Sequence, residues 1–112
     1  MGVLVPDVFH LALASDWEAA GPTYEVSTLG VTLAEQGFVH LAFAWQVEGV
    51  FRRFYAGVTE PLVLLRVDAT GLPLVVEPVV PDGEQFPHLY GPLPVAAVTA
   101  VAAFSGSFPW PA

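Results

Sequence analysis

One stretch limits the folds open to this chain more than any other: Leu62-Val63-Leu64-Leu65-Arg66-Val67. Five of its six residues are apolar and they do not alternate with polar ones. A strand wetted on one face alternates; a near-continuous apolar run reads as a strand buried on both. The rest of the chain has to supply what covers this central strand.

Two other segments do alternate. In Gly37-Phe38-Val39-His40-Leu41-Ala42, successive side chains of a strand face opposite ways. Val39, Leu41 and Phe43 then form a core side, and Phe38, His40 and Ala42 share the other face, where a small alanine leaves room beside the imidazole. Asp7 to Leu13 repeats the arrangement, with Phe9, Leu11 and Leu13 as core and Val8, His10 and Ala12 facing away. The third histidine lies in Pro87-His88-Leu89-Tyr90, so all three histidines precede a leucine.

Helix signals are concentrated early. Ser15-Asp16-Trp17-Glu18 has the spacing of a capping box and predicts a short helix over Asp16 to Ala20, ended by Gly21-Pro22. A second helix is expected from Thr28 to Gln36, with Gly37 closing it. Over Ala44 to Ala56, Val47, Val50, Phe51, Phe54 and Tyr55 follow helical spacing, with Arg52 and Arg53 off the stripe. After the central strand come a turn at Asp68 to Pro73, a short strand Leu74 to Glu77 and a loop Pro78 to Glu84. A proline-marked strand or edge segment, Phe86 to Tyr90, and a last strand, Val95 to Phe104, complete the order. Helices early and strands late argue α+β rather than a doubly wound sheet. The chain reads as a single α+β domain over 1–104 with a tail over 105–112, where Phe108 and Trp110 can pack back.

Composition removes whole classes of chemistry. Without cysteine there is no disulfide, thiol nucleophile or cysteine-bound zinc. Without lysine there is no Schiff base and no phosphate-loop lysine. The only cations are Arg52, Arg53 and Arg66 against a net charge of −8, which argues against nucleic acid and against an anionic membrane surface. No apolar run reaches membrane-spanning length, and Met1 to Pro6 lacks the positive region of a secretion leader, so a cytoplasmic location is expected.

Taken together, His10-Leu11-Ala12 with Trp17, Gly37-Phe38-Val39-His40-Leu41, Leu62 to Val67, and Phe86-Pro87-His88-Leu89-Tyr90-Gly91-Pro92-Leu93 resemble the domain-of-unknown-function family "nine-five-two". The likeness spans roughly residues 8 to 102. That family is grouped at fold level with ADP-ribosyltransferase-like proteins, which hold NAD between two small sheets. The resemblance implies a compact α+β fold of split mixed or antiparallel sheets with three short helices early in the chain. It also implies NAD, or a nucleotide-like ligand, as the bound small molecule.

On that reading His40 and His88 are the candidate catalytic pair, and His10, Tyr24, Tyr90 and Glu77 are the candidate ligand-binding residues. An imidazole titrates near neutral pH and can move a proton or donate to an anionic oxygen. The tyrosines can stack on a ring or hydrogen-bond to it, and Glu77 ends an apolar strand. The expected reaction is transfer or hydrolysis of ADP-ribose at the nicotinamide-side ribose. Ala42 stands where the family often has a serine, and the late motif carries His88 where a transferase would place a glutamate. With the aromatic tail, these departures favour the alternative of a non-catalytic protein-interaction module, monomeric or homodimeric. A three-histidine zinc site is the weakest option, because the histidines stand thirty and forty-eight residues apart.

Overall fold

The computed structural model describes residues 7–111. Met1 to Pro6, read above for a leader, and Ala112 at the end of the tail lie outside the described residues.

The first half runs β1 (Val8–Leu13), α1 (Ala14–Glu18), β2 (Thr23–Tyr24), β3 (Val26–Thr28), β4 (Val31–Thr32), α2 (Leu33–Gln36) and β5 (Val39–His40). A mixed helical stretch follows, made of a 3-10 turn (Ala44–Gln46), α3 (Val47–Val50) and a π-helical turn (Phe51–Tyr55). The second half holds β6 (Leu62–Val67), β7 (Leu74–Pro78), β8 (Gln85–Leu89), β9 (Leu93–Pro94), a 3-10 turn (Val95–Ala97) and β10 (Val98–Phe104).

The apolar run behaves as its composition requires. It is β6, the middle of a three-stranded sheet ordered β1-β6-β10, and Leu64 and Leu65 are fully buried. Leu65 and Val67 enter one core cluster with Val8, Ala12, Val39, Leu41 and Leu89. Leu62 and Leu64 enter a second with Phe9, Leu11, Val47, Tyr55 and Phe104. Each buried leucine contributes about 1.5–3 kcal/mol by leaving water, so this strand anchors both cores.

A second three-stranded sheet is ordered β5-β8-β7. The two sheets are stitched by one bridge: Phe9 N donates to Ala42 O and Ala42 N to Phe9 O, both at 2.8 Å. The chain that begins as β5 thus leaves one sheet and joins the other within three residues. All strand pairings among the described residues are antiparallel, so the sheets are not mixed. The α+β class, the small split sheets and the three early helices are present.

Several local expectations change. Ser15 is inside α1, not its cap; the cap is Leu13 with no side-chain bond. β1 pairs as far as Leu13↔Leu62, and Ala14 N then donates to Pro61 O at 2.9 Å, so the helix starts directly off the strand. The helix expected from Thr28 is shortened to Leu33–Gln36, and a β3–β4 hairpin precedes it. The β-branched Val26, Thr28, Val31 and Thr32 favour extended backbone, and Gly30 adopts φ 71° at the turn. Thr32 and Glu35 form the capping box instead. The last strand begins at Val98, three residues late. The β1 face carrying Val8, His10 and Ala12 is not open: β1 lies between the two cores.

The tail packs. Phe108 and Trp110 lie against the second core, with ring centroids 5.1 and 6.0 Å from Phe9. Arg66 sits 5.2 Å over the Trp110 ring and Phe108 N donates to Glu48 Oε2 at 2.9 Å. No helix among the described residues is long and apolar enough to cross a membrane.

Candidate functional site

His40 on β5 and His88 on β8 are direct cross-strand partners. One step along, Leu41 N donates to Pro87 O at 3.0 Å. Hydrogen-bonded pairs alternate with closer, non-bonded ones in an antiparallel ladder, so His40 and His88 occupy the closer kind. Their rings meet edge to face with centroids 5.1 Å apart.

Pro87 shapes this pair. In such a ladder residue 87 would return a bond from its own N–H to Leu41 O, but proline has none. His40 Nδ1–H donates to Leu41 O instead, at 3.1 Å. Burial holds the His40 imidazole below its usual pKa; the bond to Leu41 O opposes this, and the neighbouring His88 adds to the drop. His40 is therefore neutral near pH 7 with its proton on Nδ1. Its Nε2 is left as a hydrogen-bond acceptor with no partner among the described residues.

His88 is only 1% exposed. Its Nδ1–H donates to Glu77 Oε2 at 2.8 Å, and the Tyr90 hydroxyl donates to the same oxygen. These two bonds, Tyr90 first, hold the Glu77 carboxyl below the usual carboxylate range. The Tyr90 phenol is pushed up by the same bond to Glu77. His88 Nε2 is buried without a partner, covered by the ring of Phe38.

His10 and Tyr24 lie elsewhere. Both are 2% exposed and belong to the core beneath β5. His10 Nδ1–H donates to the His40 backbone carbonyl at 2.8 Å, and the Tyr24 hydroxyl donates to His10 Nε2 at 3.2 Å. Burial lowers the His10 pKa to about 4 and raises that of Tyr24. Of the six candidate residues, His40, His88, Glu77 and Tyr90 come together. His10 and Tyr24 meet the site only through the backbone they brace.

His40 opens into a cleft of about 420 Å³ walled by Phe38, Phe54 and Phe86, with Gln36, Arg53 and Glu84 among its polar lining. Phe38 and Phe86 alternate with His40 and His88 along their strands, so period-two spacing alone places them on the histidine face. Phe54 carries no such signal. It sits in the π-helical turn, whose wider winding lets Tyr55 bury its hydroxyl against Leu11 O at 3.2 Å while Phe54 turns out, 47% exposed. The uniform core stripe expected over this helix is broken there. Among the described residues, no group of three histidines or carboxylates is placed to hold a metal ion.

Fold and site thus define a small α+β domain of split antiparallel sheets with a histidine-floored aromatic cleft. The sequence profile of the family described as "Protein of unknown function (DUF952)" matches residues 11–101, and the chain belongs to that family. The crystal structure of protein CC0527 from Caulobacter crescentus is similar, with 34% identity, a TM-score of 0.72, and coverage of 87% of this chain and 84% of that one. The solution NMR structure of the same protein gives 34% identity, a TM-score of 0.69, and coverage of 86% and 82%. No curated protein matches the chain.

Proposed function

We propose that the domain binds a nucleotide-like small molecule in the His40 cleft, with NAD as the expected ligand, in the manner of ADP-ribosyltransferase-like proteins. The observation that carries this reading is the composition of the cleft. Three phenylalanines offer faces and edges to a planar ring, His40 Nε2 offers an acceptor to a ribose hydroxyl or amide N–H, and Arg53 offers a cation to a phosphate. Apolar walls with a few convergent polar groups are the usual make-up of a small-molecule site.

In the catalytic form of this reading, the bond between nicotinamide and the ribose carbon breaks. Water or an acceptor hydroxyl supplies the incoming oxygen, and its proton passes to His40 Nε2. His88, tethered to Glu77, holds the His40 ring in position through their edge-to-face contact. Isothermal titration of folded protein with NAD and ADP-ribose tests the binding step. Saturable heat at sub-millimolar ligand, lost on His40→Ala, is the expected result. No heat at millimolar ligand would sink it.

A second reading, a protein-interaction module, is favoured by Val75 and Val76. They are 45% and 50% exposed on β7, an outer strand of its sheet. Light scattering across a concentration series checks it, because self-association through that edge raises the mass.

A further inference from the structure

A second depression of about 480 Å³ adjoins the His40 cleft. Arg53, Glu84 and Phe86 line both, so the two lie side by side along a shared edge. Trp45 lines only the second part. It is 74% exposed, more than any other large hydrophobic side chain among the described residues. It is also held still: its ring stacks on Phe43 with centroids 4.8 Å apart and planes 14° from parallel. A tryptophan fixed on one face and open on the other is a preformed platform for a second planar ring.

The charges in the second depression point the same way. Arg52 and Arg53, two of the three cations in a chain of net charge −8, both line the second depression. Among the described residues neither pairs with a carboxylate; Arg66 does, with Asp7. The two carboxylates lining the same depression are already engaged. Glu84 Oε2 accepts from Gln46 Nε2 at 3.0 Å and Glu48 Oε2 from Phe108 N at 2.9 Å. Neither guanidinium has an ion-pair partner among the described residues, although Arg53 lies 5.9 Å over the Phe54 ring, so both keep N–H groups for an external anion, which arginine binds with two parallel N–H bonds.

We infer that Trp45 is a second ring-binding subsite and that the ligand is a dinucleotide: one ring in the His40 cleft, a pyrophosphate across Arg52 and Arg53, and the other ring stacked on Trp45. This rests on the nucleotide reading and adds the residue that separates dinucleotides from mononucleotides. Stacking of one base on an aromatic side chain corresponds to about a tenfold change in affinity.

The test is titration calorimetry of wild type, Trp45→Ala and Trp45→Phe with NAD, nicotinamide mononucleotide and AMP, each variant first shown to melt like wild type. Wild type is expected to bind NAD at least tenfold more tightly than either mononucleotide. Trp45→Ala loses about tenfold for NAD and nothing for the mononucleotide that occupies the His40 cleft. Trp45→Phe recovers most of the loss. Equal NAD affinity in wild type and Trp45→Ala overturns the subsite while leaving the nucleotide reading standing. Wild type that binds none of the three overturns both.

Discussion

Phe38 lies flat on the His88 imidazole, with ring centroids 3.9 Å apart and planes 15° from parallel. The residue before it, Gly37, closes α2 in the left-handed conformation at φ 92°. That turn sends Phe38 back over the sheet. The stack matters because His88 Nε2 has no hydrogen-bond partner and would otherwise face the His40 cleft.

Phe38→Ala is expected to uncover His88. Diethyl pyrocarbonate modifies accessible neutral imidazoles, so in wild type it should label His40 and spare His10 and His88, which are 2% and 1% exposed. In the variant His88 should label at a rate approaching that of His40. Losing a half-buried aromatic ring should lower stability by about 2 kcal/mol. Peptide mass mapping after timed labelling reads the rates. Rapid labelling of His88 in wild type would show that Phe38 does not shield it.

Pro87→Ala should redistribute the His40 proton. The new N–H at residue 87 can donate to Leu41 O, the acceptor that His40 Nδ1–H uses now at 3.1 Å. With that acceptor shared, the Nε2–H tautomer gains population and the cleft loses part of its acceptor. Long-range proton–nitrogen spectra of the ring distinguish the tautomers: mainly Nδ1–H in wild type, a mixture in the variant. Stability should change by no more than about 1 kcal/mol, because an added backbone hydrogen bond offsets the greater freedom of the unfolded chain. An unchanged His40 spectrum would refute the link to Pro87.

Acid should destabilise the fold through His10. Its pKa falls from 6.5 in the unfolded chain to about 4 in the native state. Between those values the unfolded state binds more protons, so stability is full above pH 6.5 and falls as the pH drops toward 4. The loss amounts to roughly 3 kcal/mol at 1.36 kcal/mol per unit. His40, also lowered, contributes in the same direction. Urea midpoints at a series of pH values, compared with His10→Gln, isolate the His10 part. The variant should be less stable at pH 7 and show a flatter slope. Parallel curves for the two proteins would contradict the assignment.

Much of the fold is legible in short runs of sequence. The unalternating Leu62 to Val67 demands burial on both faces, and β6 receives it from two separate cores. The alternation in Phe38 to Leu41 separates the histidine face from the core face, as the burial of Val39 and Leu41 bears out. Ala42, expected beside His40 on the open face, instead crosses to the other sheet and is buried in the second core against Phe9. The same alternation misleads for His10. Period two says which residues share a face but not whether a second core will cover it.

The residues themselves determined the α+β class, the central strand, and the presence of His40 and His88 on strand faces, because these follow from local periodicity and from absent side-chain types. Tertiary structure alone decided that the two imidazoles meet, that Phe38 roofs one of them, that Phe54 and Arg53 gather beside the other, and that Trp45 lines the adjoining depression. The reason is distance along the chain. His40 and His88 become neighbours only through the β5–β8 register, and that register depends on long-range packing of both faces of the sheet rather than on any local preference.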